Sequence, residues 1–420
     1  MGTCEIELAY GKGTIRFTMK RDSLLGILEP KTTTPADNPA SLIEKALATP
    51  VGSAPLAELA NRKSRIVIMT SDITRTTPST LMLPPVLAQL ETAGVASTNI
   101  TIVFALGIHR RHTTEEQERL VGKDIFARYR CIDHDRTRTV DLGTTTSGTP
   151  MHIFDQVAEA DMRICLGNID PHYFAGYTGG AKAVMPGVSS EESIASTHRL
   201  MLVPEAVAGK REGNPARAMI DEVGRTVGID FILNVVLNKE KQILHASAGD
   251  AIGAHQAGCK FADSYFKVGI SQKADIVIVG AGGYPKDMNV YQAQKALDNA
   301  GYAVRRGGTI ILVAECREGL GDPTFEQWVA EAQSPQDWVK RIEARFVLGG
   351  HKAGVIGMLL ENANVILVSS LPAKTAKTLF FTPANTVEEA LSLAFSHHGP
   401  DATCVLMPSG ALTLPTLSDT

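Results

Sequence analysis

Short apolar blocks recur along the chain, and each ends in a loop of polar and glycine residues. Residues 65–69, 99–106 and 162–166 are blocks of this kind, too short for helices and rich in Ile, Val and Leu, so they predict buried strands. After the first comes the loop Thr70-Ser71-Asp72-Ile73-Thr74-Arg75. Pro84 and Pro85 interrupt the pattern beyond it, and a helix over 86–93 follows with Gly94 as its stop. After the second block comes His109 and then a helix capped by the Thr113/Glu116 box. After the third comes a long glycine loop and a helix from about 190, where Ser189 and Glu192 form another capping box. Ile194, His198 and Met201 then fall at i, i+4 and i+7, which puts His198 on the apolar face. Strand, loop and helix repeated in this way predict βαβ units in a parallel, doubly wound sheet, whose ligands sit beyond the carboxyl ends of the strands. Asp72, Arg75, His109 and His172 all occupy such positions.

The rest of the chain reads more simply. Alternation over 5–20 around Gly11-Lys12-Gly13 predicts a β-hairpin. Residues 29–40 form a Pro/Thr-rich loop before a helix over 41–48. A helix over 215–225, a strand over 231–237 and a linking helix over 251–268 lead to a second α/β unit that opens with the strand 274–280. A helix over 289–299 and strands over 308–314 and 364–369 continue it. The expectation is an α/β protein of two domains with largely parallel sheets and the active site in the cleft between them. The N-terminal domain is 1–268 and the C-terminal domain 269–401, with the tail 402–420 returning to the first. Gly280, Gly282 and Gly283 follow a strand, but no third fingerprint glycine appears and Tyr284-Pro285 breaks the turn, which argues against a dinucleotide loop.

Composition narrows the class without naming it. At 420 residues, 44% hydrophobic and 20% charged, the chain reads as an ordinary globular protein of two or three domains. A net charge of -4 gives no electrostatic case for nucleic acid or an anionic membrane. The six cysteines show no CxxC pair, which fits reduced thiols in the cytoplasm and no zinc site. No apolar run reaches the ~18 residues of a membrane helix.

Candidate chemistry concentrates in 167–201, GNIDPHYFAGYTGGAKAVMPGVSSEESIASTHRLM. His172, the loop glycines Gly176, Gly179 and Gly180, the single loop lysine Lys182 and His198 come together there. The glycines suit an anion cradle, but no Ser/Thr follows Lys182, so this is no Walker A loop. A histidine on a helix face is also an ordinary core residue, and that reading of His198 stays open. His112 reads as an exposed residue before the capping Thr113, and His134, within Asp133-His134-Asp135, as part of a surface loop.

PHYFAGYTGGAK followed by THR resembles the signature of the nickel-dependent lactate racemase family. The likeness extends to SDITRTTPS, ALGIHRRHTTEE, GGYPKDMNVYQAQKAL and LGGHKAG, in the family's order. It implies a 2-hydroxy-acid racemase or epimerase, an isomerase, that carries a nickel-pincer nucleotide (pyridinium-3-thioamide-5-thiocarboxylic acid mononucleotide) on Lys182. His198 is then the protein's nickel ligand, a role imidazole suits. Asp72, Tyr177, Gly179 and Gly180 line the cofactor, and cofactor-synthesis proteins are implied as partners. His109 and His172 are the implied acid/base pair; a histidine's unperturbed pKa of ~6.5 lets it act in either state. Arg75 offers a forked carboxylate clamp, with Lys295, Gln292 and Tyr284 as further substrate contacts. Lys295 also reads as a plain solvated helix lysine. In this scheme the cofactor takes hydride from the substrate's Cα while a histidine takes the hydroxyl proton. Thr76 stands where the commoner motif has proline. Gly354-Val355-Ile356 stands where lactate-active members tend to have a bulky aromatic, which predicts a substrate larger than lactate. Two readings from other classes are a nicotinamide-dependent 2-hydroxy-acid oxidoreductase and a non-catalytic binding protein for anionic metabolites.

Overall fold

The computed structural model describes residues 2–31, 33, 35, 38–60 and 65–417. The chain forms two compact units, Met1–Lys31 with Phe266–Thr420, and Thr32–Tyr265.

The second of these carries a six-stranded sheet. Its order is Ile243–Gly249, Phe231–Leu237, Met162–Asn168, Ile66–Ser71, Ile100–Ala105 and Arg130–Asp133. All neighbours run parallel except the edge strand Ile243–Gly249, which is antiparallel to Phe231–Leu237. The inner strands are apolar on both faces, as a parallel sheet covered on two sides requires, and Ile68, Ile102, Ile164 and Leu233 lie in one core with Met82, Val86 and Leu90 of a covering helix. From Ile66–Ser71 the chain moves to one neighbour, Ile100–Ala105, and later returns on the other side at Met162–Asn168. The order of strands reverses there, and such a point leaves a crevice beyond their carboxyl ends.

That covering helix is Ser79–Thr92 and runs straight through Pro84 and Pro85. The two prolines withhold donors only from the carbonyls of Thr80 and Leu81, and both residues are exposed, on the side of the helix where solvent can satisfy a freed carbonyl. Gly94 stops the helix with φ +79° and its N–H on Glu91 O. The capping box before the next helix is present in both halves, Glu116 N–H on Thr113 Oγ1 at 3.3 Å and Thr113 N–H on the Glu116 carboxylate at 2.9 Å. The helix Glu191–Arg199 is capped one residue later than its pattern predicts. Ser190 accepts the Ser193 N–H, while Ser189 is buried and donates to Val184 O. Two strands, Arg130–Asp133 and Ile243–Gly249, lie at the sheet's edges. Edge strands need only one apolar face, and RCID and ILHASAG show no apolar run.

The other unit also holds a six-stranded, parallel sheet. Its order is Thr382–Ala384, Ala363–Val368, Val304–Val313, Ala274–Gly280, Cys404–Met407 and Leu24–Ile27. This corrects the expected domain boundaries at both ends of the chain. The described part of the tail, 402–417, does not return to the first domain; Cys404–Met407 pairs on one side with Ala274–Gly280 and on the other with Leu24–Ile27. The N-terminal hairpin, Thr3–Tyr10 with Gly13–Lys20, belongs here too, because Ile6, Leu8, Phe17 and Met19 share a core with Ile276, Ile278 and Leu406.

Gly354 receives a different role from the expected one. A Cβ there would lie 2.8 Å from the Ile342 side chain, so the glycine lets the helix His351–Leu360 close on Pro335–Ala344. The space is filled by protein, and the inference of a larger substrate loses that footing. Trp328, distant in sequence, lies against Gly350 at the start of the same helix. No helix among the described residues is long and apolar enough to cross a membrane.

Candidate functional site

Three loops at the carboxyl ends of the central strands in the Thr32–Tyr265 unit, together with the helix Glu191–Arg199, carry the candidate side chains. The first follows Ile66–Ser71. Asp72 is buried there, and its Oδ1 accepts the Thr74 N–H at 3.0 Å and the Thr74 hydroxyl at 2.6 Å. Its Oδ2 accepts the Nδ1–H of His109 from the second loop. Burial works to raise the Asp72 pKa, but the His109 bond and charge, the Thr74 hydroxyl and the Arg75 charge together hold it below the ordinary carboxylate value. With Nδ1 committed to a carboxylate, the basic nitrogen of neutral His109 is Nε2. Arg75 is exposed, and among the described residues no carboxylate forms an ion pair with it.

The third loop folds back as a small hairpin, Pro171–His172 against Gly176–Tyr177. His172 sits at its start, half-buried, with Nδ1 accepting the Ala175 N–H at 3.3 Å. This assigns the proton of neutral His172 to Nε2, the opposite tautomer to His109. Phe174 lies between two candidates, its ring centroid 4.8 Å from His172 and 5.3 Å from His198. Tyr177 is buried, and its hydroxyl donates to Gly209 O at 2.8 Å and bonds the Asp263 carboxylate. Its side chain therefore anchors the loop. Gly179 and Gly180 have φ of +79° and +57°, and Cβ atoms there would come within 2.8 Å of Asn234 Oδ1 and 2.9 Å of His255 Cδ2. Gly180 N–H donates to Asn234 Oδ1 at 2.8 Å, so this part of the loop is pressed onto the sheet.

Lys182 follows, half-buried, with no ion-pair partner among the described residues. Burial, with Arg75 and Arg217 adding to it, pulls its amine down to about 7. Arg217 is itself buried and paired with Asp221 on the helix Pro215–Val227. The fourth group, His198, donates Nδ1–H to Ile194 O at 2.7 Å, one turn back on its helix. Burial lowers its pKa to about 4 against the opposing pull of the Ile194 bond, and the charges of Lys182, Arg75 and His109 lower it further. His198 is thus neutral near pH 7 with Nε2 as its acceptor nitrogen. Arg75 acts on Lys182, and Arg75, His109 and Lys182 all act on His198, which places the other three within reach of the His198 ring.

Lys295, Gln292 and Tyr284 belong to the other unit. Gln292 and Lys295 are exposed one turn apart on the helix Val290–Ala300, and Tyr284 is 54% exposed with Lys12 over its ring. Lys352 of the GHKAG stretch donates to Tyr291 O beside Gln292.

Two histidines differ from their expected exposure. His112 has a side chain only 1% exposed, bonded through Nδ1 to Asp133, and His134 is buried among Phe154 and its neighbours, which lowers its pKa to about 4. Local sequence concealed both, because each sits among polar residues with no apolar period to show that its ring points in. Asn234, His255 and Asp263, which hold the glycine loop, carried no motif at all. A groove lined by Pro84, Leu87 and Tyr129 contains none of the candidate groups.

Comparison with known proteins adds an independent line. Residues 10–209 match the family model for the lactate racemase N-terminal domain, and residues 270–414 that for the lactate racemase C-terminal domain. The chain is 34% identical over 417 residues to a lactate racemase of Thermoanaerobacterium thermosaccharolyticum, covering 96% of this chain and 97% of the relative. It is 33% identical over 417 residues to a lactate racemase of Lactiplantibacillus plantarum, covering 96% and 98%. The solved lactate racemase apoprotein from Thermoanaerobacterium thermosaccharolyticum superposes with a TM-score of 0.91 at 33% identity, over 98% of this chain and 100% of that one. A Thermotoga maritima structure at 18% identity superposes with a TM-score of 0.62 over 92% and 100%, a likeness of fold.

Proposed function

The chain belongs to the lactate racemase family, and from that premise we propose that it racemises or epimerises a 2-hydroxy acid with a nickel-pincer nucleotide tethered to Lys182. The observation that carries the reading is the Lys182 amine itself: half-buried, without a carboxylate partner among the described residues, and held at about 7. A neutral amine is what covalent attachment needs, and ordinary lysines near 10.4 lack it at neutral pH. His198 fits the metal. Its Nδ1–H is fixed on a backbone carbonyl, the arrangement that orients imidazole ligands, and its low pKa keeps it unprotonated. Among the described residues no three His, Cys, Asp or Glu side chains gather as a metal site, so nickel at His198 would need its remaining ligands from the bound organic group. That group, when bound, supplies the acceptor and donor of the substrate's C2 hydride.

The protein's own part is binding and proton transfer. Arg75, exposed and planar, holds the substrate carboxylate in a forked pair. His109 takes the hydroxyl proton at Nε2. Asp72, held ionised, fixes its tautomer and stabilises the imidazolium that forms. His172 returns a proton from Nε2 to the oxygen out of its imidazolium form, in which Nδ1 is protonated and releases the Ala175 N–H, when the acid re-forms with opposite hand. His172 is left neutral and His109 protonated, and the reverse reaction exchanges the two roles. Lys295 and Gln292 offer an exposed amine and amide for an anionic substrate. Protein made together with the cofactor-synthesis proteins should carry a mass adduct on the peptide containing Lys182, and an active preparation with that peptide unmodified would overturn the tether.

A further inference from the structure

We infer that His112, held by Asp133, is a positioning residue that fixes Asp72 against His109; for its effect on turnover, this rests on the proposed role of that pair. Asp133 ends the edge strand Arg130–Asp133. Its Oδ2 accepts the His112 N–H at 2.7 Å and its Oδ1 accepts the His112 Nδ1–H at 2.7 Å. With Nδ1 donating, Nε2 is an acceptor, and it takes the Ile73 N–H at 3.1 Å. Ile73 lies between Asp72 and Thr74, whose N–H and hydroxyl bond the Asp72 carboxylate. His109 lies three residues before His112. One imidazole therefore joins the loop that carries the acid to the loop that carries the base, through bonds that are not part of the pair itself.

The side chains of His112 and Asp133 are 1% and 7% exposed, and Phe104 packs edge-on against the imidazole with centroids 5.2 Å apart. Sealed from water, both bonds are stronger than surface ones, and a lost partner leaves an unpaired buried group. The same short segment reaches the His109 loop again through Asp135 and Arg111 at 2.5 Å, an exposed pair of little worth alone. Displacing a catalytic group by ~1 Å is enough to cost about 10²-fold in rate. The clamp therefore acts on turnover, whereas substrate affinity depends on Arg75, which it does not touch.

His112→Phe keeps a ring against Phe104 and deletes both side-chain bonds, whereas His112→Gln retains an acceptor near Nε2. We expect kcat of the loaded enzyme to fall ~10- to 10²-fold in the Phe variant with KM little changed, and the Gln variant to recover most of it. The full-length protein without cofactor, labelled with ¹⁵N-histidine, tests the geometry apart from any reaction. The His109 Nδ1 proton bonded to Asp72 should give a far-downfield resonance in the parent and the Gln variant, lost or moved upfield in the Phe variant. Asp133→Asn serves if the Phe variant fails to fold. The amide puts an NH2 where one of the two accepting oxygens stood, so one of the two His112 protons loses its acceptor and the resonance should again move. A His112→Phe or Asp133→Asn protein with the parental His109 resonance would overturn the inference, whatever its activity.

Discussion

Removing the amine of Lys182 should make the protein more stable, by an amount that depends on pH. Its pKa falls from an ordinary 10.5 to about 7 on folding, and each unit is worth about 1.4 kcal/mol. The folded state thus binds the proton less well than the unfolded chain. The cost is fully present below pH 7, shrinks as pH rises from 7, and is gone above 10.5. The full difference amounts to about 5 kcal/mol, slightly less at pH 7 where the folded amine is half protonated, and because the residue keeps some access to water we expect about 2–4 kcal/mol there. Lys182→Met keeps the apolar stem and removes the charge. Its advantage over the parent should be largest at pH 6–7 and diminish by about 1.4 kcal/mol per unit at higher pH. Both tryptophans, Trp328 and Trp338, lie in the other unit, so fluorescence would report on the wrong half. Hydrogen exchange in urea, read on peptides from Met162–Asn168 and Phe231–Leu237, follows the right one. A variant no more stable than the parent at pH 7, or one whose advantage is the same at pH 7 and 9, would show that Lys182 is an ordinary charged lysine. A residue that destabilises its own fold is the usual sign of a group kept for chemistry.

Other substitutions separate the roles within the cluster. His198→Ala protein made with the cofactor-synthesis proteins should keep the organic adduct on Lys182 but lose nickel by metal analysis; parental nickel content would remove His198 from the metal. His109→Ala and His172→Ala should each lose at least ~10²-fold in racemisation rate while retaining the adduct, and near-normal turnover in either would break the acid/base pair.

Much of the Thr32–Tyr265 sheet was legible from sequence, because IVIMT, ITIVFA, MRICLG and FILNVVL are apolar blocks bounded by turns. A strand buried on both faces leaves that mark without help from distant residues. The N-terminal hairpin shows the limit. Alternation of Ile6, Leu8, Phe17 and Met19 reveals an apolar face, but which core it covers depends on Ile276 and Leu406, far along the chain. The candidate residues were legible as loop ends after strands, and the structure brings Asp72 to His109 and sets Phe174 between His172 and His198. What holds them was not. His112, Asn234 and Asp263 act through hydrogen bonds across long sequence separations, and such bonds have no period. Gly354 misled for the same reason. A glycine in a motif looks like room for a ligand until the neighbouring helix is seen to occupy it.

On the proposed mechanism the substrate's C2 hydrogen moves without meeting water. The substrate carboxylate already carries a negative charge, and taking a proton from the adjacent carbon would place a second one beside it. In the proposed scheme, removal of the hydroxyl proton at His109 would instead drive electrons outward with the hydride. Racemisation by the loaded enzyme in D₂O, followed by ¹H NMR of the product, tests this directly. Inverted product should retain its original C2 hydrogen, whereas product carrying solvent deuterium at C2 would contradict the proposed hydride transfer.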